Sequence, residues 1–268
     1  MTLRTGGTSA GRRSLSAGRA ELDADPLNAR NTGTVTADTG ELLIDRQAAV
    51  ERIPLAPGSW VELVPNFVRA AGRVLAELHD SLAWQQTEVL RYDHYAPENR
   101  LGAGARIDSH ALFRQIDLHL RSRFRVQFTG VAAILYRDGR DFQGLHSDRE
   151  MRWLDDTLIA ITVLGARRPF VLRPRGERAP VKRVPAGIDP ADVVLTPGEG
   201  DLLVMGGACQ REWLHGVPAA PDVARPRISL TWRWTSRRGR PDTNPTYYDG
   251  RHFSDGARQP GSRYRPAG

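Results

Sequence analysis

The chain has 268 residues, 40% hydrophobic and 26% charged, with 26 Gly and 18 Pro, a composition that builds one domain of roughly 200 residues around its own core. No run of about 18 uncharged apolar residues occurs, which argues against a membrane-spanning helix, and the single Cys209 excludes an intramolecular disulfide framework or a Cys-rich zinc site. The formal charge is +7, and all but Lys182 of the 38 basic residues are arginine. That bias reflects either genome composition or a polyanionic partner, because Arg forks onto phosphate and carboxylate.

Met1 to Arg13 lacks the apolar stretch of a secretory signal, so a cytoplasmic location is expected. Residues 1–45 are rich in Gly, Ser, Thr, Ala and Asp and read as a disordered tail. Residues 46–235 read as the folded domain. Within them Phe67, Ala71, Val74 and Leu78 recur at helical spacing, predicting a helix from Asn66 to about Leu82. Leu112, Ile116 and Leu120 predict a second helix after Asp108-Ser109. Beyond Phe124 the pattern turns to short β-type runs at Val131–Tyr136, Leu158–Leu164, Phe170–Leu172, Leu202–Met205 and Ile228–Trp234, separated by Gly- and Pro-containing turns. Short strands without intervening helices argue for a mostly β fold of the jelly-roll or sandwich kind, buttressed by the two helices. Pro174 to Pro197 reads as a long surface connection with one short β piece. Residues 236–268 are basic and rich in Gly, Pro and Arg, and hold Tyr247, Tyr248, Phe253 and Tyr264. This tail is either an unpacked, solvated segment or a surface on which single-stranded bases stack.

The chemistry-bearing residues cluster in the β half. In Gly144-Leu145-His146-Ser147-Asp148 the His and the carboxylate are two apart, so on extended backbone both point to one face. Alone the pair is a weak signal, because a metal site needs a third ligand. His215 follows 69 residues later, in Trp213-Leu214-His215-Gly216-Val217-Pro218. Two His and one carboxylate make the facial set of non-haem Fe(II) sites, with open positions left over. Next comes Arg227-Ile228-Ser229-Leu230-Thr231-Trp232-Arg233. Its two arginines share a strand face about 20 Å apart at 3.3 Å per residue. They are either surface ion-pair residues or two forks that close on a dicarboxylate.

Taken together, His146-Ser147-Asp148-Arg149-Glu150, His215 and Arg227…Arg233 resemble the AlkB family of iron- and 2-oxoglutarate-dependent dioxygenases. Leu135-Tyr136-Arg137-Asp138-Gly139 and Gly200-Asp201-Leu202-Leu203-Val204-Met205-Gly206-Gly207 extend the resemblance over roughly Leu63 to Arg233. It implies a double-stranded β-helix (jelly-roll) dioxygenase core, with Fe(II) as cofactor and 2-oxoglutarate and dioxygen as co-substrates. It implies oxidative dealkylation of alkylated nucleobases in DNA, or in RNA, releasing an aldehyde, succinate and CO2. Carried over position by position, His146, Asp148 and His215 are the iron ligands and catalytic residues. Tyr136 and Arg227 bind the distal carboxylate of 2-oxoglutarate, and Arg233 the end nearer the metal. Glu150 stands beside the extruded base.

Two positions depart from the family pattern. Ile134 and Ser229 replace residues that are usually Asn, and losing one neutral hydrogen bond at Ile134 costs about 1 kcal/mol. Arg149 stands where close relatives often carry an acid, and adds either a phosphate contact or a surface charge. The segment Trp84 to Ile107 is expected to be a nucleotide-recognition lid, in which Tyr92 and Tyr95 stack on a base and Arg100 holds phosphate. The alternative is an ordinary surface loop. Arg121, Arg123 and Arg125 suggest a basic face at a helix-to-strand join. The expected partner is nucleic acid, bound by a monomer without membrane attachment. The same chemistry on a protein side chain, a modified RNA or a small metabolite is the alternative, followed by a non-catalytic nucleic-acid-binding module or a cupin-like binder.

Overall fold

The computed structural model of the protein describes residues 40–55, 58–91, 94–128, 130–148, 151, 156–176, 189, 191–235 and 264–266. Strands β1 (Glu51–Leu55) and β2 (Ser59–Val64) precede helix α1 (Ala71–Ser81); β3 (Gln85–Arg91), β4 (His94–Ala105) and α2 (Ala111–Phe124) follow. The second half supplies β5 (Val131–Tyr136), β6 (Gln143–His146), β7 (Thr157–Gly165), β8 (Phe170–Pro174), β9 (Val193–Leu195), β10 (Leu202–Gly207), the one-turn α3 (Cys209–Glu212), β11 (Trp213–Val217) and β12 (Arg227–Thr235); β13 (Tyr264–Pro266) closes the chain.

Among the described residues the strands form two antiparallel sheets. The larger runs β1-β2-β10-β7-β12-β5-β4-β3-β13 and the smaller β6-β11-β8-β9. From β2 to β5 in the larger sheet and from β6 to β8 in the smaller, neighbours in space are not consecutive in sequence, as in a jelly roll. The period-2 alternation of each central strand splits its side chains between two cores. From β7, β10 and β12, the residues Leu158, Ala160, Leu164, Leu202, Val204, Ile228, Leu230 and Trp232 pack under α1 and α2 with Val74, Leu78, Leu112, Ile116 and Leu120. The alternate residues Ile159, Ile161, Val163, Leu203 and Met205 meet Phe170, Leu172, Trp213 and Val217 of the smaller sheet. Every residue of β7 is buried, which is why its sequence is a continuous apolar run rather than an alternating one. The double-stranded β-helix expectation is met.

Several boundaries differ from the sequence expectation. Helix α1 begins at Ala71, not Asn66, because Asn66 (φ 54°) and Ala70 (φ 51°) are left-handed and shape an entry turn. Leu43 and Ile44 are buried in the helix-side core, and Ile44 bridges Val68, so packing begins before residue 46. Residues 84–107 hold a hairpin of the main sheet rather than a loop. Gly102-Ala103-Gly104-Ala105 is in-register β4 backbone opposite β5, with Ala103 and Ala105 buried toward the helices. Small residues at alternate positions let that strand lie close to its neighbours. The basic face read into Arg121, Arg123 and Arg125 does not form, because the first two lie in the last helical turn and pair with Asp117 and Glu62. Tyr264–Pro266, placed by composition in the C-terminal tail, pairs with β3 at the sheet edge. The rest of both expected tails, residues 1–39, 236–263 and 267–268, lies outside the described residues.

Candidate metal centre and anion pocket

The two imidazoles are brought together by strand pairing. β6 and β11 run antiparallel, with His146 directly opposite His215, and their ring centroids are 4.4 Å apart. Asp148, two residues past the end of β6, turns its carboxylate to the same point. Oδ1 lies 3.4 Å from His146 Nε2 and 3.9 Å from His215 Nε2, and one ligand atom from each residue lies within 4.8 Å of the others. Donors held at right angles about 2.1 Å from a metal stand about 3 Å apart, so a small inward movement completes the site.

Hydrogen bonds prepare each donor. His146 Nδ1 lies 2.9 Å from the Gly144 carbonyl, which assigns the proton to Nδ1 and leaves the Nε2 lone pair for a metal. Burial pushes the His215 pKa down to about 3, so this imidazole is neutral at pH 7, as a ligand must be. Burial alone would raise the Asp148 pKa, but the Arg233 guanidinium and the two imidazoles outweigh it and hold the carboxyl well below its usual range. Arg233 Nε donates to Asp148 Oδ2 at 2.6 Å, leaving Oδ1 facing the imidazoles.

A second constellation lies on the larger sheet, which packs against β8 and β11 of the smaller sheet through the second core. Arg227 on β12 is paired in register with Tyr136 on β5, and both are buried. The Arg227 guanidinium has no carboxylate partner among the described residues. Nε donates to Ser229 Oγ (3.3 Å), Nη1 to the carbonyls of Pro197 (3.3 Å) and Arg168 (3.4 Å), and Nη2 is buried without a partner. Burial lowers its pKa to about 10. Arg168, also 1% exposed, stands 5.6 Å from the Tyr136 ring centroid and Arg227 5.9 Å. Burial raises the phenol pKa, while the charges of Arg100, Arg227 and Arg168 partly offset it. Buried cations answered mainly by neutral groups make a pocket suited to an anion.

Tyr136, Arg227 and Arg233 belong to the larger sheet and His146 and His215 to the smaller one; Arg233 reaches across to Asp148, and Tyr136 packs in the core between the two sheets. The two arginines of β12 differ in their surroundings. Arg233 is engaged by Asp148, whereas Arg227 keeps an open donor, because Arg233 lies beside a carboxylate and Arg227 beside carbonyls and a phenol. Ser229, at a departure from the family pattern, still contacts the Arg227 guanidinium. Arg100 on β4 holds Glu98 at 2.9 Å. Tyr95 lies five residues further out on the same strand, about 17 Å away at 3.3 Å per residue. Tyr92, Arg149 and Glu150 lie outside the described residues. Beside His146 opens a cleft of about 190 Å³ lined by Glu98, Asn99, Phe142, Gln143, Gly144 and Leu145. The sequence reading did not single out Arg168, and no local signal distinguishes it from a surface arginine. Its burial depends on acceptors at Asp138, Asp141 and Pro218.

A jelly roll that presents two imidazoles and one carboxylate to a single point, next to a buried cationic pocket, is the architecture of a mononuclear non-haem iron oxygenase that uses an oxoacid. Residues 47–233 match the family model described as 2OG-Fe(II) oxygenase superfamily. The chain is 31% identical over 215 residues to the alpha-ketoglutarate-dependent dioxygenase alkB homolog 3 of Mus musculus and 30% identical to that of Homo sapiens; each alignment covers 71% of this chain and 72% of the relative. Over 100 residues, 37% of this chain and 36% of the relative, it is 36% identical to the DNA oxidative demethylase ALKBH2 of Homo sapiens. The chain belongs to the AlkB family of Fe(II)- and 2-oxoglutarate-dependent dioxygenases. It is an enzyme of that class, using Fe(II), 2-oxoglutarate and dioxygen. No helix among the described residues is long and apolar enough to cross a membrane.

Proposed function

We propose that the protein removes alkyl groups from nucleobases in DNA, or in RNA, by oxidative dealkylation. The observation that carries this reading is the convergence of His146, Asp148 and His215 beside the open guanidinium of Arg227, in a chain aligned over 215 residues with an alkB homolog dioxygenase. The donor set suits Fe(II), and the unpartnered Arg227 Nη2 suits a carboxylate. His146, Asp148 and His215 would hold the iron, and Arg227 with Tyr136 the distal carboxylate of 2-oxoglutarate. When bound, iron, 2-oxoglutarate and dioxygen supply the oxidation of an alkyl carbon.

The chain's own residues orient and insulate. Arg233 stands at the metal end and fixes the Asp148 carboxylate through Oδ2. Tyr136 and Arg227 set the direction of the oxoacid along the sheet face. Phe170, stacked 5.8 Å from His215, and Leu172 exclude water from the inner side. The cleft beside His146 opens toward substrate, where Arg100 on β4 and Tyr95 further out are the candidate contacts; Tyr92, Arg149 and Glu150 keep that role on the resemblance alone. We take residues 46–235 as the bulk of the catalytic domain, with Leu43 and Ile44 ahead of it packed into the same core. We also take the protein as a monomer, and its buried free Cys209 thiol suits the reducing cytoplasm.

The test is anaerobic reconstitution with Fe(II), followed by 2-oxoglutarate, air and a panel of methylated DNA and RNA oligonucleotides, scoring formaldehyde and succinate. At least one oligonucleotide should yield both in equal amounts, and His146→Ala should yield neither. Succinate without formaldehyde across the whole panel would transfer the chemistry to another substrate class.

A further inference from the structure

Asp148 is the one candidate ligand that lies outside a strand, so its position depends on other contacts. Its backbone N–H donates to Gln210 Oε1 at 2.9 Å in a buried setting. The Ser147 hydroxyl donates to the Trp213 carbonyl at 3.3 Å, and Asp148 O accepts from Met151 N–H at 3.1 Å. Gln210 lies in α3, the single turn that leads into β11 and His215. The six residues from Gln210 to His215 therefore carry the acceptor for the Asp148 amide, the acceptor for Ser147 and the second imidazole.

Gln210 is 1% exposed, and its Nε2 is buried without a partner among the described residues. An apolar side chain would avoid burying that donor, and buried unsatisfied groups concentrate where geometry serves a site. The neutral amide also provides an acceptor without placing a second buried negative charge beside Asp148. We propose that Gln210 is a positioning residue of the metal centre, holding the Asp148 backbone so that its carboxylate meets His146 and His215 at one point. The inference rests on the metal role of those three side chains and is independent of the nucleobase.

Mn(II) binding, followed by the loss of the free-ion EPR signal in the absence of oligonucleotide and turnover, tests it. Gln210→Leu removes the acceptor, and Gln210→Asn keeps the amide but is one methylene too short. Both should weaken Mn(II) binding 10- to 100-fold, the range for loss of an outer-shell partner. Thermal unfolding of the metal-free variants separates this from packing: a packing role lowers the melting temperature and leaves Mn(II) affinity at the parent value. Parent-like Mn(II) affinity in a folded Leu or Asn variant would overturn the proposal. If only one variant folds, the same comparison with parent decides. A panel of oligonucleotides that all fail leaves the Mn(II) result standing, so the two readings fail separately.

Discussion

Replacing Arg227 by Met should move co-substrate affinity and metal-free stability by very different amounts. The guanidinium is buried, with Ser229 Oγ and two carbonyls at 3.3–3.4 Å as its hydrogen-bond partners and the Tyr136 ring centroid 5.9 Å away. Its fall from the ordinary guanidinium range to about 10 corresponds, at 1.36 kcal/mol per decade, to a charged form disfavoured by on the order of 3 kcal/mol. The folded pKa of this base lies below the unfolded one, so the unfolded chain holds more protons over a window that opens near pH 10. The penalty is therefore fully present at pH 7 and is relieved only as pH rises through that window. Arg227→Met removes it but leaves the Pro197 and Arg168 carbonyls short of a donor, which returns about 1–3 kcal/mol. The metal-free variant should thus unfold within about 2 kcal/mol of the parent, although a large buried side chain has been replaced. Losing two charge-assisted hydrogen bonds to the co-substrate, at about 1.5–3 kcal/mol each, should weaken 2-oxoglutarate binding about a hundred- to ten-thousand-fold. Urea unfolding without ligand, paired with calorimetric titration of 2-oxoglutarate into the Mn(II) form, measures both. Parent-like affinity would remove Arg227 from the co-substrate site, and a stability loss well above 3 kcal/mol would show the guanidinium to be a structural strut.

Two further outcomes follow from packing and burial. Burial raises the Cys209 thiol to about 11, so the folded protein should resist a thiol-directed disulfide reagent at pH 8, whereas the urea-unfolded chain should react at once; equal rates would show that the residue is exposed. Because that folded pKa lies above the unfolded value, this group's contribution to stability is complete below about pH 9 and is lost as pH rises toward 11. A Cβ at Gly139 would overlap the Ala220 carbonyl oxygen, so Gly139→Ala should cost about 1–3 kcal/mol, read as a lower urea midpoint. An unchanged midpoint would show that the loop after β5 yields freely.

Much of the candidate site was legible in the chain because its candidate ligands are marked by local spacing. His146 and Asp148 are two apart on extended backbone, and Arg227, Ser229 and Arg233 share a strand face by even offsets. The central strands were legible for a similar reason, since apolar runs such as Thr157–Gly165 must be buried on both faces. The hairpin β3–β4 was not, because Gly and Ala carry no hydrophobic alternation and acquire strand geometry only from pairing with β5. The entry to α1 was misplaced because Asn66 and Ala70 adopt left-handed backbone that helical periodicity does not reveal.

Local order along the polymer was thus sufficient to specify the kind of ligands, their shared faces and the jelly-roll class, since these follow from backbone periods of 2 and 3.6. Which carboxylate answers which guanidinium was decided only in three dimensions. Arg233 and Asp148 are 85 residues apart, Arg168 finds its acceptors in two remote loops, and Gln210 meets Asp148 across 62 residues. Such pairings depend on sheet register and on burial, and an arginine or glutamine acquires its partner and its desolvation only when distant strands close around it.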